Sequence, residues 1–233
     1  MAQFNPLLWR GFLPPRSILM ARTLVATPTK LEPARPEPLS SISEELGDCR
    51  RCKLCESKKQ IVFGEGNPQA RLVFVGQSPE DDEDLQGRPF VGPGGQLLDK
   101  MIEAMGLRRE EIYLTTIVKC RPPTNRIPEA DETALCSPFL ARQIASIQPE
   151  VIVALGQFAT QTLLKTHEGI THLRGRFHPY PAAGNQELSP LIQVMPTFHP
   201  SYLLKTPSAK KEVWLDLQEV AKALGISIPK RKS

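Results

Sequence analysis

Two short runs, Leu72-Val73-Phe74-Val75 ending at Gly76 and Val151 to Leu155, are apolar at every position and so show no alternation between a wet and a dry face. A strand of this kind must be covered on both sides, which is the condition of a parallel sheet sandwiched between helices. The intervening segments carry helical spacing. Leu97, Leu98, Met101, Ile102 and Met105 recur on one helix face behind Gly92-Pro93-Gly94-Gly95, and helices are predicted over 129–147, 158–164 and 213–224. Further strands are predicted at Ile112 to Val118 and Leu191 to Met195. Strand and helix alternate at βαβ spacing, so the expected fold is α/β, with a central, mainly parallel four-stranded sheet and helices on both faces. In such sheets chemistry sits beyond the carboxyl ends of the strands. The loops leaving those ends begin at Gly76, Thr116 and Pro196.

The chain of 233 residues, 40% hydrophobic, is long enough for one such domain, expected over 41–226. A Pro-rich extension without fixed structure is expected over 1–40, and Ser43-Glu44-Glu45-Leu46 suggests a short capped helix at the start of the core. The first acid is Glu32, yet prolines break the apolar pieces of the extension, so organelle targeting is not expected and Met20 is a plausible true start. No stretch approaches the run of about 20 apolar residues that spans a bilayer, which excludes membrane transport. A cytoplasmic, nucleoid-associated monomer is expected. The formal charge of +4 belongs to the ends: residues 1–40 hold five basic and two acidic side chains, and the tail at 227–233 adds Lys230-Arg231-Lys232. The body between them is net acidic, so any nucleic-acid contact must be made by local clusters and backbone amides.

Five cysteines stand at 49, 52, 55, 120 and 136. An odd count without a secretory signal argues against a disulfide framework. The Cys49-x2-Cys52-x2-Cys55 run, with Cys120 and Cys136 later, offers thiolates for a [4Fe-4S] cluster or a structural zinc, and spacing alone does not choose between them or name the spare cysteine.

Four ordered segments carry a resemblance. They are Val62-Phe63-Gly64-Glu65-Gly66-Asn67-Pro68, then Gly87-Arg88-Pro89-Phe90-Val91-Gly92, then Val118-Lys119-Cys120-Arg121-Pro122-Pro123 with Asn125-Arg126, and Phe198-His199-Pro200-Ser201-Tyr202-Leu203. Together they resemble the iron–sulfur, or type 4, family of uracil-DNA glycosylases, from about residue 45 to about 224. The resemblance implies one three-layer α/β/α domain with a [4Fe-4S] cluster, hydrolysing the N-glycosidic bond of deoxyuridine in DNA during base-excision repair. It implies Cys49, Cys52, Cys120 and Cys136 as ligands, with Cys55 spare. Phe90 falls where the extruded base stacks, and His199 where the uracil O2 is hydrogen-bonded; the residues after His199 form a loop that presses into the duplex.

Each assignment has a physical reason. A glycosylase extrudes its base at a cost of a few kcal/mol and must hold it against an aromatic face. Cleavage of the C1′–N1 bond leaves negative charge on the pyrimidine, so a donor aimed at O2 stabilises the transition state above the ground state. Backbone N–H groups at Gly92, Gly94, Gly95 and Ser201 suit DNA phosphates, as do the cations of Arg174-Gly175-Arg176, with Lys119 and Arg121 as further candidates.

Three positions depart from the family pattern. After the first strand the family has Gly-Glu-(Ala or Gly)-Pro-Gly, whereas this chain reads Gly76-Gln77-Ser78-Pro79-Glu80. Gln77 can orient a water but cannot take its proton. Glu80 adds bulk and charge where the family has glycine; it either supplies the missing carboxylate or blocks the pocket. Glu83 and Asp84 match family acids, while Asp81 and Asp82 are read as solvated, all in a loop of five consecutive acids. Thr116 replaces an asparagine whose planar amide matches uracil O4 and N3–H, so weaker uracil selectivity is expected. Catalytic candidates are thus His199, Gln77, Glu83 and Glu80; base-binding candidates are Phe90, Thr116, Ser78 and His199. The leading expectation is a glycosylase acting on uracil or another deaminated base in DNA. Against it stand a DNA-binding or damage-sensing protein that kept the fold and lost hydrolysis, and a hydrolase holding magnesium on Glu80 to Asp84. Covalent trapping of uracil-DNA through a histidine on an inserted basic loop is excluded, since no histidine precedes His167.

Overall fold

The computed structural model describes residues 36–181 and 192–229. Most of the expected extension, the end of the basic tail and Leu191 lie outside the described residues. Six strands form one sheet in the order β1-β3-β2-β4-β6-β5. They are β1 Glu65–Gly66, β2 Leu72–Gly76, β3 Tyr113–Thr116, β4 Val151–Leu155, β5 His178–Pro179 and β6 Gln193–Thr197. The four inner strands β3, β2, β4 and β6 are parallel, as expected; the two-residue strands β1 and β5 add antiparallel edges, so the sheet is mixed and six-stranded. Those edge strands were not legible, because two residues carry no period.

The helices are α1 Leu39–Leu46, α2 Asp81–Gln86, α3 Pro93–Ala104, α4 Ala130–Ile147, α5 Gln157–Leu164, α6 Ile170–Leu173, α7 Pro200–Lys205 and α8 Lys210–Ala223. Alternate residues of β2 feed opposite cores. Leu72 and Phe74 pack with Leu98 and Ile102 of α3 and Val213 and Leu217 of α8, while Val73 and Val75 pack with Leu140 and Ile144 of α4 and Ala159 and Leu163 of α5. This accounts for the unbroken apolar run and gives the three layers α/β/α. α1 starts at Leu39, behind Pro38 and without a side-chain cap, and packs Ile42 and Leu46 on Phe139 of α4. No described helix is long and apolar enough to cross a membrane.

One reading is corrected. The acids do not form a loop: Asp81 to Gln86 is helical, opened by a capping box in which Glu80 and Glu83 each accept the other's backbone N–H, while Asp81 and Asp82 are exposed, as read. Acids in a first turn also complement the helix dipole.

From β2 the chain passes to β3 on one side, and from β4 to β5 and β6 on the other, so the direction of winding reverses between the neighbours β2 and β4. The crevice at the carboxyl ends of β2, β3 and β6 is the expected place for a ligand.

Candidate active site and cysteine cavity

A pocket in that crevice is lined by Ser78, Glu80, Glu83, Phe90, Thr116, His199 and Ser201, with Pro79, Gly94 and Gly95. Nine of the candidates, drawn from four chain segments, therefore meet at one place. Gln77 stands one residue before the lining and accepts the Val118 N–H at 3.2 Å through its carbonyl. The free space is about 20 Å³, enough for one water.

Phe90 forms one wall. Its ring reaches over Gly76 so closely that a Cβ there would lie 2.7 Å from Cζ, so glycine is required at the end of β2. Its backbone has φ +55°, a left-handed conformation that costs a non-glycine residue on the order of 1 kcal/mol or more. Gly95 admits that backbone: a Cβ there would lie 2.0 Å from the Phe90 oxygen.

His199 faces Phe90 with ring centroids 6.3 Å apart and planes at 33°. It caps α7: its Nδ1 accepts the Ser201 N–H at 3.2 Å. A nitrogen that accepts carries no proton, so in the neutral ring the proton is on Nε2. Burial pushes the His199 pKa down to about 4, so the ring is neutral at pH 7.

Glu83 spends its carboxylate on the backbone, with Oε1 accepting from Val91 and Gly92 at 2.9 Å each and Oε2 from Glu80 at 3.1 Å. The Gly92 N–H, expected to meet a phosphate, is thus already engaged. Glu80 reaches across to Ser201, whose hydroxyl donates to Oε1 at 3.3 Å. Burial and the neighbouring Glu83 hold the Glu80 pKa above the usual carboxylate range. Asp84 accepts from the backbone of Lys59 and Gln60, and Asp81 pairs with Arg121 at 2.7 Å. These acids point to different partners, and among the described residues no group of His, Cys, Asp or Glu could hold a single metal ion, which overturns the magnesium reading. Thr116 donates its hydroxyl to the Val118 carbonyl at 2.8 Å and so has no hydrogen to offer a base.

The cationic candidates are redistributed. Arg174 is committed to Asp216 at 2.7 Å and Glu212 at 3.1 Å, with its guanidinium over the Phe198 ring at 5.2 Å. Because Asp216 also accepts from Thr197 at 2.6 Å, this network secures the strand end that delivers His199. Arg176 is exposed, as a phosphate contact requires. Lys119 is fully buried, with Nζ on Thr115, Thr116 and Gln143 at 2.6, 2.8 and 2.7 Å, and cannot meet a phosphate. Burial pushes its pKa down to about 7. Arg109, which no motif marked, holds the Phe90 loop by its carbonyls.

On the other side of Lys119, all five cysteines line one cavity with the apolar Leu46, Leu54, Leu135 and Phe139. The Lys119 N–H donates to Cys136 Sγ at 3.3 Å, and Arg51 Nη1 to Cys49 Sγ at 3.4 Å. Burial pushes the Cys120 thiol up to about 12, and the sulfurs of Cys136, Cys52 and Cys49 add to the shift. Soft donors, an apolar wall and N–H groups aimed at sulfur fit an anionic iron–sulfur cluster.

Comparison with known proteins places this constellation. A family model for the uracil DNA glycosylase superfamily matches residues 63–218. The type-4 uracil-DNA glycosylase of Saccharolobus solfataricus is 42% identical over 191 residues, covering 80% of this chain and 86% of that protein. This chain belongs to the uracil-DNA glycosylase superfamily. Within the superfamily it sides with type 4: the type-4 enzyme of Thermotoga maritima is 43% identical over 175 residues, 75% of this chain and 87% of its own. That of Archaeoglobus fulgidus is 38% identical over 197 residues, 83% of this chain and 96% of its own. Thr116, at the end of β3, lines the pocket, and Lys119 and Cys120 just beyond it line the cysteine cavity.

Proposed function

We propose that this chain is a DNA glycosylase that hydrolyses the bond between deoxyribose and uracil, or another deaminated base, in base-excision repair. The observation that carries the reading is the meeting of Phe90 and His199 across one pocket, with His199 neutral and its proton on Nε2. The extruded base stacks on Phe90. The His199 Nε2–H donates to O2, and this bond strengthens as the C1′–N1 electron pair passes to the departing base. A neutral donor loses no proton to solvent before the reaction, and the Ser201 N–H fixes its direction.

Water attacks C1′ from the Glu80 side. Position 77 lacks a carboxylate, and Glu80, whose pKa burial and the neighbouring Glu83 raise, takes the proton that Gln77 cannot. Gln77 and Ser78 help to hold the water and the base edge. Gly94, with Arg176, receives the backbone of the damaged DNA; Ser201 does not, because its N–H is spent on His199 and its hydroxyl on Glu80.

Cys49, Cys52, Cys120 and Cys136 hold a [4Fe-4S] cluster, with Cys55 beside it as a free thiol. Held by these residues, such a cluster would supply a cross-link between the segment before β1, the chain just after β3 and α4, since Cys49 and Cys52, Cys120 and Cys136 stand there. The protein acts as a monomer.

A single-turnover assay with enzyme in excess over a uracil-containing oligonucleotide tests the reading, with alkaline strand cleavage reporting base loss. Base release that falls at least about tenfold in Glu80→Gln supports it. Salt-sensitive DNA binding with no base release, even in a Gln77→Glu, Glu80→Gly, Thr116→Asn variant, would leave a pure binding role.

A further inference from the structure

The stacking wall is held by a side chain that lies outside the pocket. Arg109, in the helical turn Arg109–Glu111 before β3, donates from Nη1 to the Phe90 carbonyl at 3.1 Å and from Nη2 to the Pro89 carbonyl. It is anchored in turn by Glu65, 2.7 Å from Nε, and by Asp99, 2.7 Å from Nη1. Glu65 also takes both arms of Arg88, at 2.8 and 3.0 Å. We propose that Arg109 is a positioning residue that keeps Phe90 in its left-handed backbone conformation and so sets the stacking face opposite His199. The proposal rests on the reading of Phe90 as the platform for the base.

A left-handed φ at a bulky residue persists only where its surroundings over-determine it. Relaxation to a negative φ would turn the Phe90 peptide and swing the ring off Gly76. Two neighbours oppose that turn. Gly95 leaves room for the Phe90 oxygen where a Cβ would lie 2.0 Å away, and Arg109 binds that same oxygen. Adjacent carbonyls held by one planar fork are a task for arginine; the single ammonium of lysine cannot reproduce the geometry. The charge of Arg109 is neutralised where it stands, by Glu65 and Asp99, and its side chain is only 18% exposed. It is therefore not a phosphate contact, and its loss should leave the salt dependence of DNA binding unchanged.

Arg109→Met and Arg109→Lys in the full chain test this, with a para-fluorophenylalanine in place of Phe90 read by fluorine NMR. The native side chain should give one resonance, and both variants a shifted or multiple signal; an identical resonance in all three overturns the proposal. In the single-turnover assay on uracil-DNA, the maximal rate should fall at least about tenfold while the DNA affinity and its salt slope hold. In a Phe90→Ala background either variant should cause no further loss. Additive losses there, or a loss confined to DNA affinity, would refute the role. If Arg109→Met does not fold, Arg109→Lys carries every arm. If the native protein releases no base, the proposed function fails, and the fluorine signal still decides the role of Arg109.

Discussion

The Nδ1 of His199 accepts the backbone N–H of Ser201 at 3.2 Å, so the residue that begins α7 also fixes the tautomer of the ring facing the base pocket. The same helix start carries the Ser201 hydroxyl to Glu80 at 3.3 Å. One turn of backbone thereby couples His199, the proposed donor to the leaving base, to Glu80, the proposed acceptor of the proton of water.

Replacing His199 by alanine should lower the single-turnover rate of uracil release at least about tenfold, with DNA affinity little changed. The assay with enzyme in excess reads this directly; an unchanged rate would remove His199 from the mechanism.

With its pKa near 4, His199 should leave no inflection near pH 6.5 in the rate profile. Its effect on stability has a definite sign. Between about pH 6.5 and about 4 the unfolded chain binds a proton that the folded chain refuses, so stability falls as pH falls through that window. The loss is on the order of 3 kcal/mol at most. Denaturant melts of the native chain and His199→Gln from pH 7 to 4 should converge as the pH drops.

Gly76→Ala should displace Phe90, because the new methyl would lie 2.7 Å from its Cζ. We expect about a tenfold or larger loss of base release with the fold intact. Circular dichroism and the single-turnover assay separate the two effects.

Thr116→Asn should raise the preference for uracil over cytosine by about tenfold or more, because an amide offers the donor that the Thr116 hydroxyl spends on Val118. Paired assays on oligonucleotides carrying each base measure the ratio.

Serine at Cys49, Cys52, Cys120 or Cys136 should reduce iron content and visible absorbance, whereas Cys55→Ser should retain both. Iron analysis of the purified variants tests the ligand set; equal loss in Cys55→Ser would redraw it.

The apolar runs in β2 and β4 announced their own positions to the residue, because burial on both faces demands hydrophobic side chains at every step. β6 was expected at Leu191 to Met195 and stands at Gln193–Thr197, since a polar first residue and Pro196 hide its register. Helical periodicity placed α3, α4, α5 and α8 within a few residues of their ends. The acidic helix α2 was missed because six residues with four acids carry no apolar face.

At the site, the resemblance of four ordered motifs to a known family, not residue type alone, singled out Phe90, His199, Glu80 and Thr116, and the structure brings the four to one pocket. What each does depends on partners distant in the chain. Arg109 meets Glu65 across 44 residues, Arg174 meets Asp216 across 42, and Lys119 meets Gln143 across 24. A cation looks the same in a sequence whether it faces a phosphate or a buried oxygen, and an imidazole shows no tautomer until its neighbour is placed. Chemical identity was therefore written locally, whereas charge availability, proton position and the strained backbone of Phe90 were decided by tertiary packing, because desolvation and hydrogen bonding act between atoms in space.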